Sequence, residues 1–468
     1  MGWFKRKVRD WLEIVPVDGR GVSVLSDADF EKEIFRNKLW YRGNAAELAG
    51  FYGGQDDLIG NRSFWAEGGR NLRIRKIHSG LPALIVDVLS DIALGDFLGV
   101  RVQQDGEGVP AFAGMTMWDR IAEENGFTRL LAKAVRTTLA LGDGAFKISF
   151  DGEMSEYPIV EYFGGDRVRF NYSRGRVDEI VFIQNLEDMT LEEIYHRGGI
   201  KYRLTNAKGE EIAGERPPDI EHNLGIMLAV PLIFDENPKF EGRGKSIFDG
   251  KIGAFDALDE VISQWVDALR DGRVQKYIPL GLLPRNPNNG QVQGLSSFES
   301  RFIQTEMDLA EGADNSVKII QPQIDTDALA DSYAGFLNLA LQGILAPATL
   351  GLDLKRNDNA AAQREKEKAT LYTRGKIIDG LRSCICKLVS VTLAAYDALH
   401  GRAAGDYQVQ VEFGDYAAPD FGSQIEIVGR GVAAGIISHK TAVDQLYGDT
   451  WTQEMKDEEV ARLCAKTN

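Results

Sequence analysis

The residues able to do chemistry are few and scattered. Five histidines, His78, His196, His222, His400 and His439, stand far apart with none at metal-ligand spacing, and no H-E-x-x-H motif occurs. No G-x-S-x-G turn is present to hold a serine nucleophile. Two glycine motifs come nearer to a function. "GRGVAAG", Gly429–Gly435, has the glycines of a dinucleotide loop, which needs a strand before it, a helix at it and a βαβ unit around it. Too little chain follows for that unit, so small residues letting two helices approach closely is the better reading. The alternative it keeps open is a nucleotide-binding enzyme using Gly429–Gly435. "GRGKS", Gly242–Ser246, ends like a phosphate loop, but Lys239 stands where the first glycine should be, and a surface loop is expected. On these residues the chain is expected to be no enzyme and to need no cofactor or metal.

Charge makes the more informative pattern. "FDALDEVISQWVDALRD" puts Phe255, Leu258, Ile262, Trp265 and Leu269 on one helical stripe. Asp256, Asp259, Glu260, Asp267 and Asp271 are assigned to the opposite face. A second apolar helix is expected from about Asp327 to Leu345. No Lys or Arg occurs between Lys318 and Lys355, while Asp325, Asp327, Asp331 and Asp353 do. A short basic knot then follows, Lys355-Arg356-Asn357-Asp358-Asn359. Acidic stripes on helices are usually solvated faces, and a loop of this kind can simply link two helices.

A chain of 468 residues allows about three domains. With 44% hydrophobic residues the chain can bury real cores. Its 54 Lys+Arg against 70 Asp+Glu give a net charge of -16, which argues against tight wrapping of nucleic acid. An acidic protein can still surround DNA without gripping it. Cys384, Cys386 and Cys464 make no disulfide framework, so core packing and a reducing compartment are expected. The most apolar run, "LPALIVDVLSDIALGDFLGV", carries Asp87, Asp91 and Asp96 and reads as a core helix rather than a membrane span. Trp3, Phe4, Val8, Trp11, Leu12 and Val15 suggest a short amphipathic helix that docks on a partner or on the protein's own core.

The order of elements predicts an α+β protein. Helices are expected over 27–52, 80–98 and 117–141, followed by strands in "AFKISFD", "YPIVEYF", "RVRFNY", "VDEIVFIQ", "KYRLTN" and "VPLIFDE". Between the two acidic helices, residues 273–322 read as a compact insertion with a strand, a turn, a helix from Ser296 and a further strand. A helix capped by Asp358 or Asn359 runs to about His400, roughly 60 Å long, with Gly375 and Gly380 as bend points. The strand "YQVQVEF" and small helices follow, one of them capped by Ser438.

This order resembles the portal proteins of tailed bacteriophages, in particular the SPP1-type portals. The resemblance rests on "LWYRGNAAELAGFY" (39–52), "HSGLPALIVDVLSDIALGD" (78–96), "LLAKAVRTTLALGDGAFKISFD" (130–151), "VPLIFDENPKFEGRGKSIFDGKIGAFDALDEVISQWVDAL" (230–269) and "VGRGVAAGIISHKTAVDQLYGDTW" (428–451). It covers nearly the whole chain except 186–228 and 280–316. It implies a phage portal fold: a wing at 1–250, stem helices at 251–272 and 323–346, an α/β clip at 273–322, a tunnel loop at 347–359, a long kinked wing helix at 360–400 and a small helical crown at 401–468. It also implies a homo-oligomeric ring, usually of about twelve subunits, at one capsid vertex of a virion. Such a ring conducts double-stranded DNA in packaging and ejection. Terminase, scaffolding, major capsid and head–tail adaptor or head-completion proteins are the implied partners, with no membrane. Under this resemblance Asp256, Asp259, Glu260, Asp267, Asp271, Asp325, Asp327 and Asp331 form an acidic channel wall. Lys355, Arg356, Asn357 and Asn359 make weak DNA contacts in the tunnel loop. Another ring-forming head–tail connector is the remaining alternative.

Overall fold

The computed structural model describes residues 27–53, 63–66, 74–104, 116–206, 208–212, 216–222, 224–279, 287, 301–305, 316–351, 360–403, 405–414, 421–434, 436–448 and 451–467. The amphipathic N-terminal stretch expected at 3–15 lies outside them. The protein is a mixed α+β chain in two compact units, one of Met1–Gly95 with Gly99–Glu412, the other of Asp96–Leu98 with Phe413–Asn468.

Asn–Gly and Gly–Asn pairs divide two of the expected helices. The first becomes α1 (Asp27–Arg42) and α2 (Ala45–Gly53). Gly43 turns left-handed at φ 66°, and Asn44 Oδ1 accepts from Ala46 N–H at 2.9 Å to start α2. After α3 (Leu81–Leu94) and β1 (Phe97–Gln104), the stretch 117–141 splits into α4 (Met117–Glu124) and α5 (Phe127–Leu141). Asn125 makes that break. Its amide donates to Ile121 O and Pro158 O, its Oδ1 accepts from Val160 N–H, and Gly126 follows at φ 55°. α3 buries Leu81, Ile85, Val86, Leu89 and Ala93, a stripe with helical spacing. Among the described residues no helix is long and apolar enough to cross a membrane.

Two antiparallel sheets follow. One has the order β3-β2-β9, from β2 (Asp143–Ser149), β3 (Ile159–Gly164) and β9 (Ala229–Ile233). The other is a meander of β4 (Val168–Ser173), β5 (Arg176–Leu186), β6 (Met189–His196), β7 (Gly199–Asn206) and β8 (Ile220–Glu221). Sequence reading misses β6, the middle strand, because Glu192 and Glu193 interrupt its apolar alternation. Both glutamates are buried in partnership. Glu193 takes Lys147 Nζ at 3.3 Å and Gln184 Nε2 at 2.6 Å, which joins the two sheets, while Glu192 pairs with Arg203 and Arg169.

The remaining elements of the first unit are α6 (Ile252–Asp271), β10 (Gln275–Pro279), β11 (Arg301–Thr305), β12 (Lys318–Ile320), α7 (Thr326–Leu341) and α8 (Ala360–Leu399). The helix expected from Ser296 is corrected in its described part, since Arg301–Thr305 is a strand paired parallel to β10. β12 pairs with β10 on the other side, antiparallel. α8 buries Ile377, Ile378, Leu381, Ile385, Leu388 and Val389. Gly380 sits where β9 passes: a Cβ there would meet Phe234 Cδ1 at 2.9 Å and Ile233 O at 3.0 Å. Cys384 is buried on the same helix, and desolvation pushes its thiol up to about 12. Cys386, half-buried, points its Sγ to Val409 O at 3.3 Å. β13 (Tyr407–Phe413) pairs with β1.

The second unit carries α9 (Phe421–Ala433), α10 (His439–Tyr447) and α11 (Gln453–Thr467). Ser438 caps α10, its Oγ accepting from Thr441 N–H at 3.2 Å. The described glycines of "GRGVAAG" lie inside α9, not at a strand-to-helix turn. Gly431 meets the returning chain instead: its carbonyl accepts from Ile436 and Ile437, and a Cβ would stand 2.6 Å from Ile437 Cδ1. That removes the geometry a dinucleotide loop requires.

Candidate functional site

α6 and α7 form an antiparallel pair, closed at both ends. At one end Gly272, just past α6, lies so close to Ile324, just before α7, that a Cβ would stand 2.2 Å from Ile324 Cδ1. At the other, Lys251 Nζ donates to Leu339 O at 3.0 Å. Between them Trp265 and Tyr333 meet edge-on at 6.4 Å. The β11-β10-β12 sheet is therefore inserted at one end of the pair. The chain leaves α7 at the opposite end, about 24 Å away for a helix of 16 residues.

The exit from α7 is pinned. Thr370, fully buried on α8, accepts from Ala346 N–H at 2.9 Å and meets Thr349 Oγ1 at 3.0 Å. Thr373 Oγ1 donates to Ile344 O at 2.7 Å. The chain turns at Gly351, φ 70°. Lys355, Arg356, Asn357 and Asn359 lie outside the described residues.

The acidic residues assigned to one face do not all share it. At 100° per residue, Asp256, Glu260, Asp267 and Asp271 lie about 100–160° round α6 from Phe255, but Asp259 lies only about 40° away. Asp259 thus belongs to the apolar stripe, and its place on an exposed wall is corrected. It is 0% exposed. Its Oδ2 accepts from His78 Nδ1 at 2.7 Å and Trp65 Nε1 at 3.3 Å, and its Oδ1 from Ser79 N–H at 2.8 Å. An ionised carboxylate only accepts, so the His78 proton is assigned to Nδ1. Nε2 is left buried and without a hydrogen-bond partner, among Trp40, Trp65 and the edge of Gly43. Asp256 is half-buried and also serves the fold: it accepts from Ser63 Oγ at 2.7 Å and Phe64 N–H at 2.8 Å, and burial raises its carboxyl above the usual range. Asp271, Asp325, Asp327 and Asp331 are exposed, with Glu260 and Asp267 half-buried. Asp325 also caps α7, accepting from Ala328 N–H at 3.0 Å.

"GRGKS" is not a surface loop but a clasp. Asp143, 0% exposed at the start of β2, takes Arg243 through Nε and Nη2, both at 2.9 Å, and Gly244 N–H at 2.8 Å. Arg243 spends its other donors on Val168 O and Gly165 O and stacks 4.0 Å over Phe30. Ser246 Oγ donates to Ala140 O at 2.6 Å. Gly142 and Gly244 touch backbone to backbone with no room for a Cβ. The backbone amides of Arg243, Gly244, Lys245 and Ser246, which a phosphate cradle would need free, are thus committed to the protein itself. Sequence reading has one signal for this, the R-G pair whose glycine lets the chain approach Asp143.

Among the described residues no group of three or more His, Cys, Asp or Glu is placed to hold a metal. No family model matches the sequence, and no curated protein matches it. The chain is similar in structure to one described as "Virion of native gene transfer agent (GTA) particle", at 13% identity and TM-score 0.45 over 90% of this chain and 93% of that one. It is similar to another, "Neck of empty GTA particle computed with C6 symmetry", at 11% identity and TM-score 0.44 over 76% and 90%. A third, "Neck of native GTA particle computed with C12 symmetry", matches at 13% identity and TM-score 0.38 over 78% and 89%.

Proposed function

We propose that this chain is a portal-type subunit, a non-enzymatic structural protein that closes into a ring at a virion vertex and lets double-stranded DNA pass. The observation that carries the reading is the antiparallel α6–α7 pair. It bears a small sheet at one end and a pinned exit at the other, and it exposes Asp325, Asp327 and Asp331 along a helix flanked by no Lys or Arg from 319 to 354. Grip on DNA scales with the phosphates neutralised. An acidic wall holds none and repels over a screening length of roughly 8–10 Å, so it acts as a bumper past which a duplex slides. In this reading α6 and α7 are the stem, the inserted sheet the clip, α8 a wing helix and the second unit part of the crown. Asp271, Asp325, Asp327 and Asp331 line the channel with Glu260 and Asp267 behind them. Asp259 and Asp256 hold the stem to the wing instead.

Lys355, Arg356, Asn357 and Asn359 are proposed to ring the channel as weak backbone contacts. Terminase, scaffolding, capsid and adaptor proteins are the proposed partners. Negative-stain electron microscopy with light scattering tests the assembly. Rings with a central hole at roughly ten to fourteen subunit masses are expected. A particle that stays small with scaffolding protein present would sink the proposal. Lys355→Ala with Arg356→Ala should leave ring formation intact while DNA held in filled particles falls several-fold at about 0.2 M salt. Unchanged packaging and retention would remove the loop from the mechanism.

A further inference from the structure

The β3-β2-β9 sheet carries unlike features at its two ends. Where β2 begins, at Asp143 opposite Ile233, a cavity of about 360 Å³ opens beside Phe234, Ile247 and Ile344. Its rim carries Lys245, Lys251 and Lys376, with Tyr372 73% exposed at its edge. Two aspartates also line it, but Lys376 pairs with Asp235 at 3.0 Å, and Asp249 accepts from Ser246 N–H and Asn237 Nδ2. Lys245 and Lys251 therefore face no carboxylate of their own among the described residues.

Where β2 ends, at Ser149 opposite Ile159, the chain forms a built turn. Asp151 O accepts from Met154 N–H and Ser155 N–H, and Asp151 Oδ1 accepts from Glu153 N–H at 3.0 Å. The turn presents Met154, 76% exposed, between the exposed carboxylates of Asp151, Glu153 and Glu156. None of the three has an ion pair among the described residues. Knob and cavity lie about 20 Å apart along β2, at opposite ends of one rigid sheet.

We propose that Met154 of one copy seats in this cavity of the next, with Glu153 and Glu156 facing Lys245 and Lys251. The inference rests on the ring reading above. An apolar tip set in acid complements an apolar floor rimmed by amines. Two different patches on one subunit, each complementary to the other, make a heterologous, head-to-tail contact, the kind that closes into a ring. A flexible methionine suits a pocket of irregular shape.

The full-length chain supplies the test. Met154→Asp and Lys245→Glu each change an exposed side chain and should leave the subunit folded, yet each should lower the ring fraction about tenfold at fixed concentration. Glu153→Lys should do the same, and Glu153→Lys combined with Lys245→Glu should restore assembly. In a Cys464→Ser background, Met154→Cys with Tyr372→Cys should give a ladder of covalent oligomers on mild oxidation, whereas either alone gives dimers at most. Normal rings from Met154→Asp and Lys245→Glu, with no ladder, overturn this contact and leave the ring standing. If the unaltered chain forms no ring even with scaffolding protein present, the ring reading fails, and absence of the cross-link in concentrated protein then overturns the contact as well.

Discussion

Asp259→Ala should destabilise the first unit by about 3–5 kcal/mol, while Asp327→Ala, the same change on the adjacent helix, should stay within about 0.5 kcal/mol. Asp259 is wholly buried and collects the His78 imidazole, the Trp65 indole and the Ser79 amide. Removing it leaves these donors in a site water does not reach, and each buried donor without a partner costs about 1–3 kcal/mol. Asp327 is exposed. Asp259→Asn keeps the volume and one acceptor and should fall between. Urea titration followed by tryptophan fluorescence reads this out, with Trp65 reporting from within the site. Equal midpoints for the Asp259 and Asp327 variants would show that the clamp does not hold the helix. The comparison also separates the two settings of acidic residues on α6 and α7, since only the exposed set is open to a partner.

Asp259 shows what a sequence can yield and where it stops. Its helical angle is arithmetic, and placing it about 40° from Phe255 assigns it to the buried stripe without coordinates. Its partners are not arithmetic, because Trp65 and His78 lie far away in sequence and only the packing of 63–66 and 74–80 on α6 brings them there. The same division runs through the fold. Helix starts at Thr116 and Ser438 are local hydrogen-bond chemistry, and residue types announce them, whereas the expected helix 27–52 runs through the break that Gly43 and Asn44 make. β6 is hidden because its glutamates are balanced by Lys147 on another sheet, by Arg203 on the adjacent strand β7 and by Arg169 two strands away on β4. Charge in a strand reads as exposure until its partner is known. The strand Arg301–Thr305 is hidden for another reason: its ladder partner is β10, more than twenty residues earlier, and its own pattern resembles a helix turn. In the candidate site the acidic helix pair is legible, whereas the clamp behind it is not.

Arg243→Met should cost about 3–5 kcal/mol near neutral pH, and the deficit should shrink as the pH falls toward about 4. The reason is the state of Asp143. Burial is the largest influence on its carboxyl and raises it above the usual range; Arg243, by charge and hydrogen bonds, and Gly244 N–H pull it back. A carboxyl raised by folding binds its proton more readily in the folded chain than in the unfolded one. Between the ordinary value and the folded one the folded state holds the extra proton, so this group's contribution to stability falls as the pH rises through that window. Without Arg243 the window widens upward, and the penalty for an ionised Asp143 grows with it. Below the ordinary carboxylate range Asp143 is protonated in both states, and the variant loses only the packing over Phe30 and the bonds to Val168 O and Gly165 O. Methionine retains much of the apolar stem, which keeps the loss of packing small beside the loss of charge and hydrogen bonds. Unfolding midpoints of parent and variant, taken in parallel from pH 4 to pH 8, measure the difference directly. A deficit that stays constant across that range would mean that Asp143 does not ionise against Arg243. A deficit that grows with pH would show that the clasp joining β2 to the segment before α6 is held by charge.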